Sequence, residues 1–340
     1  MAGADPSPHT VAIVVPVYRG EKSLPTLVDE MASLTADGLR TPDGHLYRVT
    51  EVLLVHDRGP DRSDDVIRGL ASQFSFVRPV WLSRNYGQHA ATLAGMASTT
   101  TEWIVTLDED GQHNPADIPG MLDVALAGQA ALVYAKGKPP HFWLRNATSK
   151  AAKAIANHLL VSGGIGDYSS FRLILGEIGR SIAAYSGHGT YLDAAIAWIV
   201  PRSVTCPVTL RTEADRGSGY NLRGLMSHFW RLVLTAGTLP LRVVSVLGAV
   251  SAVLGVSLAV WVLARKLLSE IPIQGWTSVM VVLLLGFGGL LLALGIIAEY
   301  VGVAVRMAMG RPTYLIVSDP ATGPLHRAGP VAESGREQGT

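Results

Sequence analysis

The 340-residue sequence holds a single cysteine, Cys206, so no disulfide can form within the chain and a disulfide-stapled fold is excluded. A lone cysteine fits a reducing compartment, and as a residue type it reads as an ordinary buried small side chain. An excess of charge of one sign is also missing. Lys and Arg number 28 against 27 Asp and Glu, for a net charge of +1, which argues against nucleic acid as the main partner. Met1 to Thr10 contain no apolar run, so no signal peptide is expected and the soluble part should stay in the cytosol. There is no internal repeat and no dinucleotide fingerprint. Gly163-Gly164-Ile165-Gly166 is too loosely spaced after its helix for a nucleotide role.

Charge itself is lacking over two stretches, Val243 to Val262 and Ser278 to Ala298, which end against Arg265 and Glu299. About 20 residues in a helix span roughly 30 Å, the thickness of a bilayer's hydrocarbon core. Two transmembrane helices are therefore expected, with the domain boundary near Pro240. Basic residues collect before the first span (Arg202, Arg211, Arg216, Arg223, Arg231, Arg242) and after the second (Arg306, Arg311). By the positive-inside tendency both termini and the catalytic domain are cytoplasmic, although Arg265 and Lys266 in the connection pull the other way. Between Asn221 and Leu239, Leu222, Leu225, Met226, Phe229 and Trp230 alternate with Arg223, His228 and Arg231. This pattern fits a helix lying in the membrane interface, or one packed on the domain. Gly286, Gly288 and Gly289 permit close helix packing within or between chains, and so a homo-oligomer. The expected order is a flexible 1–10, a catalytic domain 11–220, an interfacial helix 221–240, a transmembrane pair 241–305, a cytoplasmic return segment 306–317 and a disordered tail 318–340 rich in Gly, Pro, Ala and charge.

The first 135 residues alternate two periods. Apolar β-branched runs at Val11–Tyr18, Glu51–His56, Val77–Leu82, Trp103–Leu107 and Ala131–Ala135 predict strands. Ser23–Leu34, Ser63–Phe74, Gln88–Ser98 and Pro115–Ala127 carry helical spacing. Near-continuous apolar strands between amphipathic helices predict an α/β domain with a mostly parallel sheet covered on both faces. Ligands of such sheets bind beyond the carboxyl ends of the strands. Those ends are polar here: Pro16-Val17-Tyr18-Arg19, His56-Asp57-Arg58-Gly59, Ser83-Arg84-Asn85-Tyr86-Gly87 and Asp108-Glu109-Asp110-Gly111-Gln112-His113.

Alternate residues of an extended strand end project to one side, so Asp108, Asp110 and Gln112 can converge on one point. Hard oxygen ligands of this kind suit Mg²⁺ or Mn²⁺, ions that keep waters and complete their shell with substrate phosphates. Acidic strand ends are also common solvated turns, and it is the position after the fourth strand, amid the other polar ends, that favours the metal. Asp57 has two readings, a hydrogen-bond acceptor for a nucleobase or ribose and a cap for the following helix. Lys136, Lys138, Arg145 and Lys150 form a basic set suited to phosphate or to a solvated helix face.

Taken in order, Val14-Val15-Pro16-Val17-Tyr18, Asp57-x-x-x-Asp61, Leu82-Ser83-Arg84-Asn85-Tyr86-Gly87-Gln88, Asp108-x-Asp110-x-Gln112-His113-x-Pro115 and Ser170-Phe171-Arg172-Leu173 resemble the family 2 glycosyltransferases that act on polyprenyl phosphates, the dolichol-phosphate mannose synthase group and its bacterial relatives. Leu294-Gly295-Ile296-Ile297-Ala298-Glu299-Tyr300 with Gly310-Arg311-Pro312-Thr313-Tyr314 is similar to the closing signature of the two-span bacterial members. The resemblance covers residues 11 to about 316. It implies a GT-A fold that binds a nucleotide sugar and transfers the sugar, with inversion, to a lipid phosphate in the bilayer. It further implies that Asp57 meets the nucleobase, that Asp108 serves the ribose and the metal, and that Asp110 with Gln112 holds the metal. Arg172, with Arg211 or Arg216, would hold the diphosphate and the lipid phosphate. Pro16, Tyr18, Glu21, Arg84, Lys136 and Lys138 complete the expected substrate contacts, and Asp167 is the nearest acid to the position of a suggested base.

Departures from the family pattern ring the nucleotide end. Arg19-Gly20 stand where relatives have Asn and Glu, His56-Asp57 where they have an Asp pair, Arg58-Gly59 where they have Gly-Ser, and Ser218-Gly219-Tyr220 where Ser-Lys-Tyr is common. Ser170 occupies a position that relatives divide between Asp and Ser. These substitutions are the support for an alternative, a catalytically degenerate membrane scaffold or flippase partner, against which the intact Asp108-x-Asp110-x-Gln112 speaks. A processive polysaccharide synthase would want more spans and a Gln-x-x-Arg-Trp motif, which does not occur. Because a phosphate monoester has a second pKa of about 6, the acceptor is largely dianionic at neutral pH and needs no strong base.

Overall fold

The computed structural model describes residues 7–137, 169–187, 192–200, 202–211, 239–268, 275–309 and 312–323. Lys138, Arg145, Lys150, Asp167, Arg216, the glycine cluster at 163–166 and residues 221–238 of the expected interfacial helix lie outside them.

In chain order the elements are β1 (His9–Val17), α1 (Leu24–Ala32), β2 (Tyr47–His56), α2 (Ser63–Gln73), β3 (Val77–Leu82), α3 (Gln88–Ala97), β4 (Trp103–Thr106), a 3₁₀ turn (Pro115–Asp117), α4 (Ile118–Ala127), β5 (Leu132–Gly137), β6 (Arg172–Leu175), α5 (Gly176–Tyr185), α6 (Leu192–Ile199), β7 (Val204–Val208), α7 (Leu239–Leu268), α8 (Trp276–Ala308) and β8 (Ile316–Val317). One sheet runs β7-β5-β6-β4-β1-β2-β3-β8. The pairs β1–β2, β1–β4, β2–β3 and β5–β7 are parallel. The mostly parallel sheet expected from the sequence is present, with three strands unforeseen, β6, β7 and β8; β6 inserts antiparallel between β4 and β5.

The period-2 alternation of β1 explains why both sheet faces are covered. Val11, Ile13, Val15 and Val17 point into a core shared with α1, α2 and α4, while Ala12 and Val14 point into a second core shared with α3, α5 and α6. All six are fully buried, which is why the strand reads as a continuous apolar run. Close packing needs one glycine: a Cβ on Gly95 of α3 would lie 2.3 Å from Val14 Cγ1.

β1 is the strand from which the order runs outward to β2 and β3 on one side and to β4 on the other, the topological switch point at which α/β sheets open a crevice. The ends of β1, β2, β3 and β4 all face it.

α7 and α8 run 30 and 33 residues and touch one another. Counted over the described residues, no helix is long and apolar enough to cross a membrane; read without gaps, the sequences of α7 and α8 contain the two uncharged runs identified above. Apolar side chains stand out on many sides of both, among them Val246, Val253, Leu254, Leu283, Phe287 and Leu290. Among the described residues nothing approaches within 4 Å of a Cβ placed on Gly286, Gly288 or Gly289.

After α8 the chain returns to the sheet. β8 adds antiparallel to the outer edge of β3, pairing Ile316 with Leu82 and Val317 with Trp81. Asp319 then takes Arg68 of α2 in a two-pronged ion pair, Nε at 3.0 Å and Nη2 at 3.1 Å, while the Arg68 guanidinium lies 5.0 Å from the Trp81 ring centroid. An unstructured tail expected from Ser318 is thus corrected at its start: the composition is polar, yet Asp319 is bound by Arg68 and accepts the Ala321 N–H at 2.9 Å.

Candidate active site

A cleft of ≈ 430 Å³ opens at the strand ends, lined by Pro16, Val17, Tyr18, Asp57, Asn85, Gly87, Gln88, Asp108, Glu109 and Asp110. Of the residues singled out in the sequence, Pro16, Tyr18, Asp57, Asp108 and Asp110 meet there.

Asp108 follows β4 and is held from both sides. Its Oδ2 accepts the Ser170 hydroxyl at 2.6 Å and its Oδ1 accepts the Gln88 side-chain amide. Burial pushes its carboxyl above the ordinary range, opposed by the Ser170 hydrogen bond and the positive potential of His113 and Arg172, while Asp110 pushes it further up. Asp110 turns its Oδ1 to the Gln112 N–H at 3.0 Å, a tight turn completed by Gly111 at φ +74°. Gln112 itself does not line the cleft. Its carbonyl accepts the backbone N–H of Arg211, so it contributes the shape of the acidic turn.

Two carboxylates facing one cleft, one of them raised by burial and by its neighbour, form a donor set that a hard divalent cation would relieve. Among the described residues no three acidic, His or Cys side chains cluster to hold an ion by themselves. Asp108 and Asp110 therefore fit an ion whose shell is completed by water and substrate oxygens.

Glu109, the middle residue of the acidic turn, was not foreseen. Its carboxylate accepts the backbone N–H groups of Tyr18 at 3.0 Å and Arg19 at 2.9 Å, locking the end of β1 to the end of β4. The signal was in the pattern: a carboxylate between two others, pointing the opposite way along an extended turn, reaches the neighbouring strand.

The helix-cap reading does not hold for Asp57. Its two oxygens accept the backbone N–H groups of Tyr86 and Gly87, each at 2.7 Å. Burial lifts its carboxyl above the usual range in spite of those two bonds. The residue lines the cleft and fixes the loop between β3 and α3; α2 begins at Arg62, with no side-chain cap. Arg58 takes the left-handed conformation at φ 52° and donates Nε to the Leu82 carbonyl at 3.1 Å. Gly59 must be glycine, since a Cβ there would fall 1.6 Å from the Tyr18 carbonyl oxygen. The Arg58-Gly59 departure is thus a geometric solution at the cleft wall.

Other expected contacts lie elsewhere. Arg172 is 4% exposed and gives Nη1 to Asp193 Oδ1 at 2.6 Å, an ion pair joined by the Tyr134 hydroxyl at 3.1 Å. A strand position facing the α5–α6 core explains this: the guanidinium is not presented to the cleft, although its charge reaches Asp108. Arg211 binds Glu30 at 2.8 Å and Asn114 at 2.9 Å, and so staples the acidic turn to α1. Glu21 accepts the Arg62 N–H at 3.2 Å, joining two loops behind the cleft. Arg84 packs over the Tyr86 ring, 4.5 Å from its centroid, and Lys136 is exposed at the end of β5. Neither lines the cleft.

All of the cleft residues fall within 12–168, which match the family described as Glycosyl transferase family 2. Two relatives are the undecaprenyl-phosphate 4-deoxy-4-formamido-L-arabinose transferases of Serratia proteamaculans (strain 568) and Sodalis glossinidius (strain morsitans). They are 29% and 28% identical over 324 and 320 residues, each match covering 93% of this chain and 95% of the relative. Among solved structures, glucosyl-3-phosphoglycerate synthase from Mycobacterium tuberculosis superposes with a TM-score of 0.49 at 19% identity, over 67% of this chain and 80% of that one.

Proposed function

We propose that the chain transfers a sugar, with inversion, from a nucleotide sugar to a polyprenyl phosphate at the cytoplasmic face of a membrane. The carrying observation is the convergence of Asp108 and Asp110 on one cleft with Tyr18, Asp57 and the β3–α3 loop. Mg²⁺ or Mn²⁺ would be held by Asp108 and Asp110, and when bound would supply positive charge against the leaving diphosphate.

The chain's own residues account for the rest. Asp57 and the loop it clamps form the wall for the nucleoside, while Glu109 and Asp57 fix the loops so that little ordering remains when donor binds. α3 starts at the cleft with Gly87 as its N-cap, so the positive end of its dipole favours an anion there. The buried Arg172 adds positive potential from behind Asp108. No proton need be removed from a dianionic acceptor, so the protein's task is to hold two anions together. Asp167 is assigned no base. Lys138 and Arg216 remain proposed phosphate contacts.

The acceptor's lipid tail favours a membrane anchor, since each CH₂ withdrawn from the bilayer costs about 0.8 kcal/mol. At 1.5 Å per residue, helices as long as α7 and α8 exceed the roughly 30 Å hydrocarbon core. Rows of exposed Val, Leu and Phe on several sides would be untenable in water and are at home in lipid. We therefore read both helices as membrane spans, with 11–220 as the catalytic domain, 221–240 lying in the interface, 306–317 returning in the cytoplasm and both termini cytoplasmic. Gly286, Gly288 and Gly289, with nothing within 4 Å of a Cβ placed on them among the described residues, are available to a second copy of the chain.

An alternative scaffold role draws on Arg19, His56 and Arg58, but Arg58 supports the cleft wall and both acids stand in place. The test is transfer. Purified full-length protein in nanodiscs is given Mn²⁺, decaprenyl or undecaprenyl phosphate and a panel of nucleotide sugars, and the lipid is read by mass spectrometry. A glycosylated lipid phosphate is expected with one donor. No product with any donor, together with no nucleotide binding, would favour the scaffold.

A further inference from the structure

The return segment after α8 touches the domain at several places. Tyr314 packs against the second core, as does Tyr86. The Thr313 hydroxyl donates to the Ser186 carbonyl at 2.8 Å. The Leu315 carbonyl accepts the Ser83 N–H at 2.9 Å, extending the β8–β3 ladder by one bond. Asp319 closes the segment through Arg68, whose guanidinium also bonds Asp64 at 3.0 Å.

Ser83 is where this segment meets the cleft. Its backbone is held by Leu315, and its hydroxyl shares a 2.9 Å hydrogen bond with the Tyr86 hydroxyl. Tyr86 in turn gives its N–H to Asp57. The loop between these anchors carries Asn85 and Gly87, both on the cleft wall. A continuous line of hydrogen bonds thus runs from Leu315 through Ser83 and Tyr86 to Asp57. A loop fixed only by Asp57 would have one anchor; the return segment supplies the second.

We infer that residues 313–319 are a positioning strap for the donor cleft: by pairing with β3 and clasping Arg68, they hold Asn85–Gly87 in the conformation that receives the nucleotide. This rests on the reading of the cleft as a nucleotide-sugar site, but the geometry of the loop can be measured without any ligand. The strap is chemically distant from the acidic turn, so it acts on binding and leaves the transfer step untouched.

The experiment uses full-length protein in nanodiscs, comparing wild type, Asp319→Ala and Asp319→Glu. Hydrogen exchange of a peptide spanning 83–88 is expected to speed up about tenfold in Asp319→Ala, with a peptide spanning 11–17 unchanged. The donor KM should rise about five- to tenfold, within the range such chains of packed contacts transmit, while kcat and the acceptor KM stay within about twofold. Dissociation constants for UDP, GDP and ADP with Mn²⁺ should show the same loss for whichever nucleotide binds wild type. Asp319→Glu, which keeps the carboxylate, should restore both readouts. Should Asp319→Ala not fold, Tyr86→Phe removes the hydroxyl that bonds Ser83 and Arg84 and should weaken the nucleotide in the same direction. Exchange at 83–88 unchanged, or raised equally at 11–17, would overturn the strap. Loop exchange responding as expected while wild type binds no nucleotide would instead overturn the donor reading of the cleft.

Discussion

Ser170 gives its hydroxyl to Asp108 at 2.6 Å, across the antiparallel junction between β6 and β4. The contact explains how a serine serves where some relatives are expected to have a carboxylate. A second acid beside an already lifted Asp108 would raise it further, whereas a hydroxyl donor favours the charged form that a metal needs. Ser170→Ala should therefore lower transfer activity about tenfold, the loss expected for a hydrogen bond to a charged group, and should raise the Mn²⁺ concentration needed for half-maximal rate. A metal titration of both proteins checks this; unchanged metal dependence would contradict it.

Asp110→Ala should cost far more than Asp167→Ala. Removing a group that stabilises transition-state charge commonly costs on the order of 10² to 10³ in rate, and a dianionic acceptor leaves a base little to do. Initial rates of the two variants decide the matter, and the reverse ranking would defeat the division of labour proposed for the cleft.

Arg172 and Asp193 form a buried pair, so removing one partner strands the other. Asp193→Ala should destabilise the fold by about 3–5 kcal/mol. The double change Arg172→Met with Asp193→Leu should regain much of that stability, because apolar residues of similar volume replace buried pairs well. Its activity should stay low if the Arg172 charge supports Asp108. Denaturant unfolding and transfer rates on the same three proteins separate the two roles. A double variant that recovers both would reduce the pair to packing.

The Arg68–Asp319 clasp has a defined acid limit. Burial alone would lift the Asp319 carboxyl, but hydrogen bonds from Arg68 and from the Ala321 N–H, with the Arg68 charge, outweigh it and hold the group below 3.8. A folded value below the unfolded one means that the clasp's stability is present above pH 3.8 and is lost as pH falls through the folded value. The stability difference between wild type and Asp319→Asn should be constant from neutral pH down to about 5 and shrink below 3.8. Denaturant unfolding across that range provides the check, and a difference that grows on acidification would refute the assignment.

Most of the architecture was legible because both sheet faces are buried and each strand announces itself as an apolar run. Period-2 patterns place Pro16, Asp57 and Asp108 at strand ends, and the sheet rule places strand ends at the ligand. What sequence could not supply were the long-range partners. Glu109 and Asp57 are used against backbone N–H groups, which carry no residue signature. Arg172 looked available for phosphate because its partner, Asp193, lies 21 residues away on a helix with no visible tie to β6. β6 itself is four residues long, and its order in the sheet depends on pairings the local pattern does not encode.

The β3 edge of the sheet is sealed by β8, a strand made only after both long helices. During synthesis the soluble portion leaves the ribosome first with that border unpaired, a surface prone to adding strands from other molecules. The border closes only when residues 316–317 arrive. Maturation of the cleft wall is thereby tied to completion of the chain beyond both long helices, and a polypeptide stalled before its final turn would present an adhesive, half-finished domain to quality control.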